Sequence, residues 1–261
     1  MRRSLSPDVA TIAAELEAAR RGRRAIAPPA ELAALTLSEA YDIQDFATAR
    51  RESAGAVRSG WKLGLTSRVK QRAMGIDHPL FAPLFTDGLL ASSSRVLYSG
   101  FIRPRAEPEL AFGLKAPLDG AGDVDSLMEA VAWIAPALEI TDSRYLPGSR
   151  SAVELVADHA SGAAYVIGGR VRFDAATRLD AIGTQIIRDG SVLAGGTTAD
   201  VLGDPFAALQ LLAEHLGTRG FHTKAGDVVL SGAITDAFPA APGDRFEARL
   251  RGLGTASVVF V

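Results

Sequence analysis

An α+β fold follows from the order of patterns along the chain. Long helical periodicity is concentrated in the first 55 or so residues, short strand-like runs outnumber helices in the rest, and no regular strand–helix alternation appears. The 261 residues are 48% hydrophobic and 22% charged, enough for one large domain with a small appendage. A formal net charge of -2 gives no electrostatic reason to expect nucleic acid or an anionic membrane as partner. Cysteine is absent, which removes disulfides, thiolate nucleophiles and Cys-based zinc sites, and only four histidines remain for base or ligand work. Arg2 and Arg3 precede no apolar stretch of signal-peptide length, and no segment approaches a membrane span, so a cytoplasmic location is expected.

Ser6 is an N-cap with Pro7 at the first helical position, and Val9, Ile12, Ala13 and Leu16 recur at helical spacing until Gly22. The arginines at 20, 21, 23 and 24 suit an exposed helix end. A capping box, Thr36 to Glu39, opens a second helix carrying Tyr41, Ile43 and Phe46 toward Gly55. Residues 1–56 thus form a helical segment without evident chemistry. From Val57 short strands begin. Gly60 to Ser67 reads as a strand with glycines where backbone or ligand approaches closely, and Arg68 to Met74 as a short helix ended by Gly75. Asp123 to Ala135 is expected as a helix stopping before Pro136. Glu139 then falls on a buried strand, followed by a strand over 161–167 and a hairpin around Asp189-Gly190. Asp204-Pro205 opens a helix that runs to Gly217, and strands and turns complete the chain.

The chemistry concentrates in two stretches. In Arg105-Ala-Glu107-Pro-Glu109 the glutamates are two apart, so an extended strand projects both from one face, where their repulsion calls for a positive partner. Glu139 lies inside the apolar run 133–140, where an unpaired charge is costly. Three carboxylates without cysteine suit Mg²⁺ or Mn²⁺, while an ion pair of Glu139 with Arg144 or Arg105 is the competing reading. Asp158, His159 and Ser161 are too crowded in sequence for a catalytic triad, whose members converge from separate segments. No dinucleotide fingerprint, P-loop or G-x-S-x-G elbow is present.

Several ordered motifs carry a resemblance: Gly60-Trp-Lys-x-Gly-Leu-Thr-Ser67, Met74-Gly-x-Asp-x-Pro79, Arg105-Ala-Glu-Pro-Glu109, Ala137-Leu-Glu-Ile-x-Asp-Ser-Arg144, Ala157-Asp-x-Ala-Ser161 and Gly226-Asp-x-x-Leu-Ser-Gly232. From about Gly60 onward the chain resembles the 2-keto-4-pentenoate hydratases and 4-oxalocrotonate (2-oxohex-3-enedioate) decarboxylases of the fumarylacetoacetase-like superfamily. The resemblance implies a mixed β-roll over 57–261, and a divalent metal on Glu107, Glu109 and Glu139. It further implies Lys62 as a catalytic residue, and substrate contacts from Lys62, Leu80, Arg144 and Ser161. A homo-oligomer, and association with a partner hydratase, also follow from it. The substrate is a small 2-oxo acid.

Within that family the choice is between losing CO₂ and adding water. Decarboxylation needs an electron sink at the 2-oxo oxygen; hydration needs in addition a group that manages protons at the far carbons. The related hydratases tend to carry an acid where this chain has Leu80, and an apolar wall there favours expulsion of neutral CO₂. Trp61, the Thr66-Ser67 pair and Tyr145 resemble the decarboxylase branch. Decarboxylation of 2-oxohex-3-enedioate, in meta-cleavage aromatic catabolism, is therefore the expected activity, with hydration of 2-hydroxypenta-2,4-dienoate the alternative. Acylpyruvate hydrolysis lacks an identifiable base, and a non-catalytic supporting subunit fits poorly with an intact set of carboxylates and Lys62. Lys62 is expected to stabilise the developing enolate or hold a substrate carboxylate. Arg144 and Arg105 would pair with the distal carboxylate or neutralise the glutamates. His159 stands where the resemblance predicts asparagine and Ala82 where it predicts glycine, two departures that bear on pocket shape.

Overall fold

The computed structural model describes residues 7–118, 120 and 123–261; the Ser6 cap lies outside them. Helix α1 (Pro7–Gly22) buries Val9, Ile12, Ala13 and Leu16, the stripe its periodicity defines. Helix α2 (Leu37–Ser53) starts at the capping box, with the Glu39 amide donating to Thr36 Oγ1 and the Thr36 amide to Glu39 Oε2. These helices share an apolar cluster with Tyr145 and Ala157 of the following part of the chain. Their apolar stripe is thus covered by that part of the chain.

The first sheet comprises β1 (Arg58–Gly64), β2 (Leu80–Phe85), β3 (Leu89–Ala91), β5 (Arg105–Leu114), β6 (Val131–Thr141), β7 (Gly162–Ile167), β8 (Val171–Arg172), β11 (Val228–Leu230) and β12 (Phe238–Pro239). Its order is β2-β1-β11-β5-β6-β7-β3, with β12 on β5 and β8 on β6. The second sheet runs β10-β9-β13-β14-β4, from β4 (Ser94–Val96), β9 (Gly183–Arg188), β10 (Ser191–Thr197), β13 (Arg245–Leu250) and β14 (Gly254–Phe260). Pairs β1/β11, β3/β7 and β14/β4 are parallel and the remainder antiparallel, so both sheets are mixed. Their inner faces enclose one large apolar cluster, with Phe112, Phe206, Phe246 and Phe260 at ring-stacking distances. Helices α3 (Arg68–Ala73), α4 (Val124–Ala130), α5 (Ala152–Ala157) and α6 (Pro205–Thr218) lie between strands. Among the described residues no helix is long and apolar enough to cross a membrane.

One element differs from the sequence reading. The helix expected over Asp123 to Ala135 ends at Ala130, and residues 131–135 are already in β6. The run 131–140 is buried almost throughout, and an apolar run of that kind has no period that separates a buried strand from a buried helix. Pro136 favours extended backbone before it, and it sits inside the strand opposite Leu110. The strand expected from Ser161 begins one residue later, because Ser161 itself adopts a positive φ.

Candidate metal centre and active site

The antiparallel register of β5 and β6 sets Glu107 directly opposite Glu139, and the two-residue period of β5 brings Glu109 to the same face. One oxygen from each carboxylate lies within 4.8 Å of the others. Glu109 and Glu139 are fully buried, whereas Glu107 keeps part of its surface open to a cavity. From β1, Lys62 brings its ammonium to 3.0 Å from Glu139 Oε1 and donates to the Ala160 carbonyl at 2.9 Å.

Glu109 Oε2 accepts from the Gly232 amide at 2.7 Å, which fixes its carboxylate. Gly232 has a φ of +97°, and a Cβ there would lie 2.4 Å from Thr66 Cγ2, so only glycine brings that amide to the glutamate. Glu109 Oε1 and both Glu139 oxygens receive no well-angled hydrogen bond. Burial, then repulsion from Glu139, pushes the Glu107 carboxyl up to about 7. The same two causes, with Glu107 added, raise Glu109 well above the ordinary carboxylate range. Burial opposes the charge on Lys62, but the three glutamates outweigh it and hold the ammonium above its usual pKa. When ionised, three carboxylates, two of them fully buried, outnumber the one ammonium, and the free donors of the site are all oxygen. A hard divalent cation fits that donor set.

A cavity of about 170 Å³ opens onto this cluster, lined by Lys62, Thr66, Ser67, Leu80, Glu107 and Ser161 among others. Of the expected site residues, Lys62, Leu80 and Ser161 thus share one wall with Glu107. Arg144 does not line this cavity. It is 4% exposed, pairs through Nε with Asp158 Oδ1, and donates from Nη1 to the carbonyls of Asp142 and Gly162. The exposed Arg105 donates to the Ala237 carbonyl, so neither arginine neutralises the glutamates. Lys62 takes that place.

His159 does not line this cavity; its Nε2 lies 3.3 Å from Thr48 Oγ1 of α2, and desolvation together with Arg144 depresses its pKa to about 3. It is a neutral, packed imidazole. Ser161 Oγ instead reaches Asp158 Oδ2 at 3.4 Å, so the crowded residues form no Ser–His–Asp relay. Ala82 is buried opposite Lys62 in the β1–β2 register. The phenol of Tyr145 donates to the Glu154 carbonyl and does not line the cavity.

Two contributors had no signal in the sequence. His159, Ala160 and Ser161 all have positive φ (51°, 47° and 59°), a left-handed turn without glycine that aims the Ala160 carbonyl at Lys62. Helix α2 also braces the surroundings of the site: Gln44 Nε2 donates to the carbonyls of Phe81 and Val156, and Tyr41 Oη accepts from the Phe81 amide. Only tertiary contact shows either.

The fumarylacetoacetate (FAA) hydrolase C-terminal family model matches residues 63–261. The chain is 35% identical to the 4-oxalocrotonate decarboxylase of Pseudomonas sp. (strain CF600) over 228 residues, covering 87% of this chain and 86% of that protein. It is 36% identical to the 2-hydroxyhexa-2,4-dienoate hydratase of Comamonas testosteroni, covering 87% of each. Among solved structures, 4-oxalocrotonate decarboxylase from Pseudomonas putida G7, complexed with magnesium and adipate, superposes with a TM-score of 0.94 at 33% identity over the full length of both chains. Matched in sequence from residue 63 to 261 and in structure along its entire length, the chain belongs to the FAA hydrolase C-terminal family.

Proposed function

We propose that the protein decarboxylates 2-oxohex-3-enedioate to 2-hydroxypenta-2,4-dienoate and CO₂, with Mg²⁺ or Mn²⁺ held by Glu107, Glu109 and Glu139. When bound, the cation supplies an electron sink at the 2-oxo oxygen and neutralises the carboxylate cluster. Lys62, held by Glu139 and the Ala160 carbonyl, presents a fixed positive charge to that oxygen end and has no freedom to swing away. As the C5–C6 bond breaks, its electron pair moves through C3 and C4 to the 2-oxo oxygen, C6 leaves as CO₂, and a proton on that oxygen completes the dienol. Ser161 offers a hydroxyl to orient the substrate, and Leu80, 1% exposed, walls the cavity with hydrocarbon. Arg144 acts at one remove, by clamping Asp158 and with it the turn that carries Ala160 and Ser161.

The observation that favours loss of CO₂ is the cavity's lining. Among the described residues it contains no histidine and no carboxylate besides Glu107, so no free base stands ready to activate water. Hydration of 2-hydroxypenta-2,4-dienoate is the second reading, favoured by the comparable identity to a hydratase. To the same proposal belong a catalytic unit over residues 57–261 braced by the helical segment 1–56, a cytoplasmic location, a homo-oligomeric state and association with a hydratase. The test is metal-dependent CO₂ release from 2-oxohex-3-enedioate, run beside consumption of the dienoate. CO₂ release that disappears in Glu109→Ala supports the proposal; dienoate consumption without CO₂ assigns a hydratase instead.

A further inference from the structure

The substrate proposed above carries a second carboxylate that a cation could capture, and the two arginines that the sequence offers are engaged elsewhere. Arg144 is locked onto Asp158, and Arg105 onto the Ala237 carbonyl. The cavity itself contains two cations. Lys62 is buried among the glutamates at its inner end, and Lys70 of α3 stands at the rim with its side chain 47% exposed. In this structure the Lys70 ammonium is 2.8 Å from Asp236 Oδ1, whose side chain is 79% exposed. An ion pair so open to water contributes little, and a second carboxylate can replace Asp236 at small cost.

We propose that Lys70 is the specificity residue for the distal carboxylate, exchanging Asp236 for the outer end of a dicarboxylate whose 2-oxo acid end faces Lys62 and the glutamates. This rests on the functional reading above and deepens it. A cavity with cations at its two ends selects a dioate over a monocarboxylate, which separates the substrate of decarboxylation from that of hydration. The placement also sets where the energy appears. A contact to the carboxylate that is about to leave as neutral CO₂ is strongest in the ground state, so Lys70 serves capture and alignment and does not lower the barrier. The ordinary exposure of the pair makes capture sensitive to salt.

The probe is a pair of unreactive acids, adipate and hexanoate, titrated calorimetrically into the Mg²⁺-loaded full chain. Wild type binds adipate more tightly than hexanoate. Lys70→Met loses about tenfold in adipate affinity, the size of one charge-assisted hydrogen bond, and leaves hexanoate unchanged; Lys70→Arg retains the preference. Asp236→Asn frees the ammonium and tightens adipate. In turnover of the dioate, the loss in Lys70→Met falls in KM rather than in kcat. Adipate affinity unchanged in Lys70→Met, or equal loss for both acids, overturns the assignment. If wild type turns over neither the dioate nor the dienoate, the functional reading falls while the adipate–hexanoate comparison still decides the role of Lys70.

Discussion

At the residue scale the centre is a set of like charges held together by the sheet. Glu109 shows the consequence most plainly, because its carboxylate is buried, repelled by two neighbours, and positioned only by the Gly232 amide. A carboxyl whose pKa is raised by folding opposes the folded state when it is ionised. Glu109→Gln keeps an oxygen for that amide while removing the charge, so the metal-free variant should melt above metal-free wild type at neutral pH. Added Mg²⁺ acts in the opposite direction: at a hundredfold excess over its Kd, wild type gains about 2.7 kcal/mol by mass action and the variant gains almost nothing. Thermal melts of both proteins with and without Mg²⁺ read the two signs together. A metal-free variant less stable than wild type would mean that the glutamate is held by something other than the cation it awaits.

At the element scale, α2 is the part whose function differs most from its appearance in sequence. Its hydrophobic face and capping box mark it as an ordinary amphipathic helix, and nothing in residues 37–53 suggests catalysis. In the fold, Gln44 is 2% exposed and bridges the Phe81 carbonyl, one residue from the Leu80 wall, to the Val156 carbonyl in α5, which leads into the left-handed turn. Gln44→Leu leaves the Phe81 carbonyl without its side-chain donor, while the Val156 carbonyl keeps the Asp158 amide, so the cost should be that of one such group, about 1–3 kcal/mol. Urea denaturation measures it, and a loss under about 1 kcal/mol would show that water or a shifted backbone replaces the amide. The same contrast explains what was legible beforehand. Glu107 and Glu109 were readable because a strand's period of two is a local rule, and the hairpin at Asp189-Gly190 and the caps at Thr36 and Asp204 likewise need only neighbours in sequence. Residues 131–135 were misread because a run buried on both faces shows no period, and only pairing with β5 makes it a strand. Gln44, the Ala160 carbonyl and the Gly232 amide act across separations of 37, 98 and 123 residues, which no local pattern encodes.

At the scale of the whole molecule, the helical segment, the left-handed turn and the two-sheet body meet at His159. Its half-buried ring lies against Thr48 of α2, and desolvation there, then Arg144, Arg51 and Arg20, push its pKa from 6.5 down to about 3. The sign of the effect follows from proton binding. Between these two values the unfolded chain takes up a proton that the folded protein refuses, so stability is lost as pH falls below the unfolded pKa of 6.5. From pH 7 to pH 5 that linkage amounts to about 2 kcal/mol for a single site shifted this far. The carboxyls of half-buried Asp45 and buried Asp142 and Asp158 are raised by desolvation and act in the opposite direction, so the wild-type acid limb is a sum that no one residue can be read from directly. A difference between variants isolates the histidine. Asparagine has no proton to gain and tolerates positive φ, so His159→Asn should keep the turn while removing the titration. Its unfolding free energy should fall less than that of wild type between pH 7 and pH 5, by about 2 kcal/mol, whatever its offset at neutral pH. Parallel urea titrations at the two pH values give the comparison. Equal losses in both proteins would mean that the ring is already protonated, or solvated, in the folded state, and that the helical segment does not seal this side of the site.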